Sequence, residues 1–272
     1  VPTSGDVSVS TLRVTHNASI GGTLSVVGAV GFNSTATIGG ATHLQSTLSV
    51  AGATTIGGAA NLLSTATVAG ATGFLSTVRI AGATSLEGAV VMKSTATVVG
   101  ATHLQSTLSV AGATSIAGAV YMGSTATVVG ATHLQSTLSV NSNAIIGGTT
   151  RLVGATSIEG AAVLKSTVTV IGATHLQSTL SVTGNAILGG TVRLVGATSI
   201  EGAAVLKSTV TVLGATHLQS TLSVAGAAGF ASTATIAGTA HITGNVSLMG
   251  TVIHAPNAKV CASAFYGDGA NL

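Results

Sequence analysis

Residues 94–111 read Ser94-Thr-Ala-Thr-Val-Val-Gly-Ala-Thr-His-Leu-Gln-Ser-Thr-Leu-Ser-Val-Ala111, three hexapeptides end to end. Each begins with Gly or Ser. Its third residue is Ala, Thr or Leu (Ala96, Thr102, Leu108), and its fifth is a larger aliphatic (Val98, Leu104, Val110). Between them stands a polar residue (Thr97, His103, Ser109). This in–out–in alternation is the period-two signature of a β-strand with one buried face, and the β-branched Thr and Val agree with it. Gly or Ser at each sixth residue suits a corner, where the chain changes direction. A helix is excluded, because six is not a multiple of 3.6 and Gly at this frequency is costly.

The pattern extends through forty consecutive hexads, Ser10 to Met249, without an inserted or deleted residue. The fifth position is Val, Ile, Leu, Met or Phe in all forty, and the first is Gly or Ser in thirty-nine, His16 being the exception. So short and strict a period means a chain built by stacking one small unit. Strands of about four residues that bend at every sixth cannot form hairpins; they coil, layer upon layer about 4.8 Å apart. The expected fold class is therefore all-β, a β-helix (β-solenoid). Its core is a stacked column that includes Val26, Ile38, Leu44, Val50, Val98, Leu104, Val110, Leu176, Val182, Leu218 and Val224. The expected organisation is a lead-in over 1–9, a repeat shaft over 10–249 and a terminal transition segment over 250–272 leading to a following module.

Two windings satisfy the pattern. One chain can wind three hexads per turn into a three-sided, left-handed helix. Alternatively, three identical chains can intertwine, each contributing one hexad to every layer. Longer repeats bear on the choice. Gly-Ala-Thr-His-Leu-Gln-Ser-Thr-Leu-Ser-Val recurs at Gly40, Gly100, Gly130, Gly172 and Gly214, so successive copies are ten, five, seven and seven hexads apart. Neither five nor seven is a multiple of three, so in a single-chain helix these copies turn onto different faces. An intertwined homotrimer shows the same hexad on all faces of a layer, and on this ground the trimer is the expected winding. The two differ in length, on the order of 65 Å for the single-chain coil and 190 Å for the trimer at 4.8 Å per layer.

Composition narrows the function. Charged residues are 5% and aromatics 2% of the 272 residues, with no Trp and 37 Gly. High apolarity with little charge is the reverse of the disorder signature. A mean hydropathy of +0.70 invites a membrane reading. However, Ser, Thr or Gly interrupts every apolar run well short of the roughly 18 residues of a spanning helix, and the six-residue units are short for a membrane β-barrel strand. The eight Lys and Arg are scattered singly, which lacks the clustered cations and stacking aromatics of nucleic-acid binding. One cysteine, Cys261, makes no internal disulfide. The chain begins at Val1 without Met or a signal-peptide pattern, as expected of a processed form or a piece of something longer. The sequons at Asn17, Asn33 and Asn245 are expected from chance in so Ser- and Thr-rich a chain.

Candidate chemistry is sparse. The repeated histidines His43, His103, His133, His175 and His217 sit at the outward fourth position with no Cys, Asp or second His nearby in sequence; zinc needs three or four converging ligands. They are expected to be solvated copies, and no metal, cofactor or small-molecule substrate is expected. Five acids exist (Asp6, Glu87, Glu159, Glu201, Asp268), too few and too dispersed for a hydrolytic site. Glu87, Glu159 and Glu201 each precede a lysine by one hexad (Lys93, Lys165, Lys207), placing the pairs at neighbouring corners. The hexapeptide acyltransferases share the inward large and small positions. Here, though, Gly falls two residues after the large aliphatic and no loop is extruded to carry a catalytic His. Ice binding calls for stacked Thr-x-Thr pairs. Three hexads beyond Thr35 and Thr37, however, stand Ala53 and Thr55, and three further on Ala71 and Gly73.

Runs such as Gly22-Thr-Leu-Ser-Val, Gly184-Asn-Ala-Ile-Leu-Gly-Gly-Thr and Thr221-Leu-Ser-Val-Ala-Gly-Ala resemble the low-complexity shafts of bacteriophage and algal-virus tail fibres. The end of the chain, Ala262-Ser-Ala-Phe-Tyr-Gly-Asp-Gly-Ala-Asn-Leu, is similar to a segment between modules of such fibres. The resemblance implies a homotrimeric fibre shaft on a virion or in an extracellular appendage, holding a receptor-binding tip away from the particle. Its implied partners are copies of itself and a tip, baseplate or capsid protein. A cellular extracellular filament of the same geometry is the alternative.

Overall fold

The computed structural model describes residues 12–248, 253–254 and 260–265. The expected lead-in over 1–9 and most of the expected segment over 250–272 lie outside the described residues.

From Leu12–Val14 to Ala234–Ile236 a three-residue strand recurs once in every hexad, separated by three-residue corners, and no helix occurs among the described residues. Each strand is the third-to-fifth segment of one hexad. Its ends face inward and its middle residue outward, as in Ala36–Ile38, where Ala36 and Ile38 are buried and Thr37 is exposed. Strands this short survive because those beyond the first turn (Leu12–Val14, Ala18–Ile20 and Leu24–Val26) are hydrogen-bonded on both sides. Thr102 N–H donates to the Ala119 carbonyl (2.8 Å) ahead, and Gln105 N–H donates to the Leu86 carbonyl (3.1 Å) behind. Continuous pairing along the coil satisfies the backbone groups that six-residue units leave open within themselves.

The chain divides into two compact units, 1–142 and 143–272. In the first, every pairing is parallel and joins strands three hexads apart: Leu12 with Val30, Leu24 with Thr42, Ala36 with Thr54. Three strands therefore complete one turn and form three faces. One face runs through Leu24–Val26, Thr42–Leu44, Ala60–Leu62, Val78–Ile80, Ala96–Val98 and Thr114–Ile116. The second unit keeps the same interval, as in Ala144 with Ala162 and Thr198 with Thr216. Near its end the strand Ala240–Leu248 turns a corner, pairing with both Leu222–Val224 and Ala228–Phe230. Beyond it the turn lengthens: Ala234 meets Ile253 and Ala240 meets Val260, with a register shift between Ile242 and Asn245. The longer turn coincides with the end of the hexad rhythm.

The β-helix expected from the hexads is present, in its single-chain form. Each strand pairs within its own chain, whereas the intertwined winding favoured by the five- and seven-hexad duplications pairs every strand with another chain. The physical reason is the equivalence of the faces. All three sides offer the core the same pair, a small or medium third residue and a larger fifth one, so a duplication that turns a hexad onto a new side leaves the packing intact.

The core is filled accordingly. Val26, Ile38, Leu44, Val50, Val98, Leu104, Val110, Leu176, Val182, Leu218 and Val224 are all buried, none more than 3% exposed. Corner glycines have a steric cause. A Cβ added to Gly100 would stand 2.4 Å from the Gly82 carbonyl carbon in the coil below, and one on Gly118 would meet Gly100 at 2.4 Å. The outward glycines Gly31 and Gly73 meet nothing closer than 3.7 Å.

Candidate functional site: the outer faces and the inward threonines

The middle residue of each strand, with the corner residues on either side, forms the outer surface. Neighbours there are one coil apart in sequence, and this decides what each histidine meets. Asn61 Nδ2 donates to His43 Nδ1 at 3.1 Å. The His103 ring stacks on Tyr121, centroids 4.8 Å apart and planes 18° from parallel. Arg193 Nη1 donates to His175 Nε2 at 3.2 Å, the guanidinium having only donors to offer. These three histidines are thus engaged by whatever residue the next coil supplies, more than the solvated copies expected from sequence.

The five copies do not share a side. In the first unit His43 and His133 lie on one face, five coils apart, and His103 on another. In the second unit His175 and His217 lie on different faces, on Thr174–Leu176 and Thr216–Leu218. Among the described residues no three His, Cys, Asp or Glu side chains converge on a point that could hold a metal ion. Glu87 and Lys93, Glu159 and Lys165, and Glu201 and Lys207 all stand exposed at successive corners.

Two shallow grooves follow the faces. One, of about 490 Å³, passes Thr67, Ser85, His103, Tyr121 and Ser139; the other, of about 360 Å³, passes Ser181, Ser199, His217 and Thr235. Both are rows of outward strand residues between corners. Tyr121 anchors the first, its hydroxyl accepting from Asn141 Nδ2 at 2.8 Å. Asparagines also fasten corners: Asn143 Oδ1 accepts from the Ala161 N–H (2.8 Å) and Asn185 Oδ1 from the Ala203 N–H (2.9 Å). Exposed aliphatics Val27, Leu63 and Val99 recur at every second coil along one corner of the first unit.

The unforeseen chemistry is inside. Twelve third positions carry Thr, from Thr42 to Thr216; all are buried, between 2% and 5% exposed, and their hydroxyl oxygens have no hydrogen-bond partner. Each such hydroxyl costs about 1–3 kcal/mol relative to a satisfied one. Within the two units, ten of them stand in consecutive layers as five pairs: Thr54 with Thr72, Thr84 with Thr102, Thr114 with Thr132, Thr156 with Thr174, and Thr198 with Thr216. The signal was present in the sequence. Gly-Ala-Thr-Ser at Gly82, Gly112, Gly154 and Gly196 is followed three hexads later by Gly-Ala-Thr-His, although the blocks themselves repeat at five and seven hexads.

Comparison with protein-family models, with curated proteins and with solved structures returned no match.

Proposed function

We propose that the chain is a structural spacer, the shaft of an extracellular or virion appendage such as a viral tail fibre, with its coils associating as a homotrimer and joined to a tip, baseplate or capsid protein. The supporting observation is the unbroken alternation of three-residue strands and three-residue corners from Leu12 to Ile236. Binding and catalytic residues usually ride on loops that a scaffold positions, and this coil extrudes none over that span. The scatter of identical outer motifs over different faces agrees with a chain selected for its core. A spacer needs continuous backbone pairing and a filled interior, and it tolerates rotation of its surface. In this reading no residue acts as a catalyst and no cofactor is held.

The test is immunogold electron microscopy with antibody raised against the repeat. Decoration along thin appendages of particles or cells is expected. Removal of five whole coils should shorten them by about 24 Å at 4.8 Å per layer while leaving a distal tip in place. Gold confined to the cell interior, or appendages of unchanged length after the deletion, would contradict the reading.

A further inference from the structure

Phe and Tyr are scarce in this chain, and Phe32, Phe74 and Phe230 stand inside, none more than 3% exposed. Tyr121 stands outside, 36% exposed. It belongs to the last of three thirty-residue blocks that begin at Ser34, Ser64 and Ser94; the first two carry Asn61 and Val91 at the same place. Register sets His103 against Tyr121 in the strand before and Ser139 in the strand after, and Ser85 against His103. The two rings stack with planes 18° from parallel. One face of Tyr121 is therefore left toward Ser139 and one face of His103 toward Ser85, and serine is too short to cover a ring.

Along this ladder runs the groove of about 490 Å³. Exposed Ala83, Ala101 and Ala119, one coil apart, line it with methyl groups, and Thr65 and Thr137 continue their row at either end. No Asp, Glu, Lys or Arg lines it. The exposed Asn141 carboxamide stands beside the Tyr121 hydroxyl, at 2.8 Å. A phosphate-bearing chain or a charged peptide finds no countercharge on such a surface. Aromatic faces, methyl groups and neutral hydrogen-bonding groups suit a ring that is apolar on its C–H face and hydroxylated at its edge. Because the lining residues recur one coil apart, the groove is straight and takes a linear chain of such rings. We propose that this groove binds a neutral, linear polysaccharide. One sugar ring sits over Ser139 against the free face of Tyr121 and another over Ser85 against His103, about 14 Å away at 4.8 Å per layer. The chain between them lies along the alanines. The contact is lateral and does not depend on the coil's being a spacer. The groove of the second unit is an internal comparison: Ala197 and Ala215 line it, but the register neighbours of His217 are Ser199 and Thr235, with no ring to extend the platform.

The experiment uses the full chain carrying Tyr266→Phe, which leaves Tyr121 as its one tyrosine, so that tyrosine fluorescence reports on the groove. The probes are straight, neutral, β-1,4-linked hexasaccharides of glucose, mannose and xylose. A saturable change in fluorescence is expected with at least one of them. The matching monosaccharide should bind at least about tenfold more weakly, because one ring reaches only one of the two aromatic faces. Tyr121→Val, which copies Val91 of the preceding block, should weaken the hexasaccharide at least about tenfold by calorimetry, whereas Tyr121→Phe keeps the ring and should retain most of the binding. Tyr121 lies on the outer face, so far-ultraviolet spectra of both variants should match the parent. In proton NMR spectra the His103 imidazole should shift on titration while that of His217 stays in place. No saturable response to any of the three hexasaccharides would overturn the proposal. So would undiminished binding by Tyr121→Val, equal shifts at His103 and His217, monosaccharide binding as tight as that of the hexasaccharide, or saturation by a hexapeptide of alternating glycine and serine in place of every saccharide.

Discussion

Threonine 42 isolates the cost of a buried hydroxyl. It has no threonine in the adjoining layers, standing between Leu24 and Ala60, and its oxygen is buried without a partner. Thr42→Val is therefore expected to stabilise the coil by about 1 kcal/mol, seen as a higher melting temperature; a loss of stability would show that the hydroxyl is satisfied. Glycines divide in the same local way. Gly100→Ala drives a Cβ against the backbone of the coil below, and a loss of about 1–3 kcal/mol is expected from such overpacking. Gly31→Ala has open space and should be neutral or gain about 0.4–1 kcal/mol through the unfolded chain. Equal effects at the two sites, measured by denaturant titration, would refute the close-approach account. The histidines make a third residue-scale case. His43 accepts at Nδ1 from Asn61 and His175 accepts at Nε2 from Arg193. The two copies of one hexapeptide should therefore show opposite neutral tautomers in nitrogen NMR spectra, Nε2–H and Nδ1–H respectively. A common tautomer would exclude one of the two contacts.

At the level of the strand, the hexads made the inside and outside of every element legible from sequence alone. The third and fifth residues point in because strand side chains alternate, and no neighbour changes that. Leu104→Ala should consequently cost about 2–5 kcal/mol as a cavity in a close-packed column, against a negligible effect for Ser109→Ala on the outer face. What a strand meets across the ladder was illegible from one hexad alone. It depends on turn length, which the aliphatic pattern leaves open, and the duplications of five and seven hexads pointed toward intertwining. The recurrence of Gly-Ala-Thr-His three hexads after Gly-Ala-Thr-Ser carried the turn length. A polar residue inside a strand of aliphatics nevertheless reads as a weak core position until its stacked partner is known. The contacts of His43, His103 and His175 were hidden for the same reason, since their partners are a full coil away in sequence.

For the molecule as a whole, face equivalence has a direct consequence. Removing residues 82–93, two whole hexads, turns every later strand onto another face yet returns the same residue types to the core. The variant should keep its far-ultraviolet β signal and cooperative melting. Removing residues 82–90 instead joins hexads out of phase and should melt the adjoining coils at lower temperature. The central claim is that one chain completes each turn in three hexads, and the distance between spin labels at Ser25 and Ser115 in the Cys261→Ser protein tests it most directly. Five layers of the single-chain coil place them about 24 Å apart at 4.8 Å per layer. An intertwined trimer would put fifteen layers between them, about 72 Å within a chain at the same spacing, and that result would contradict the account.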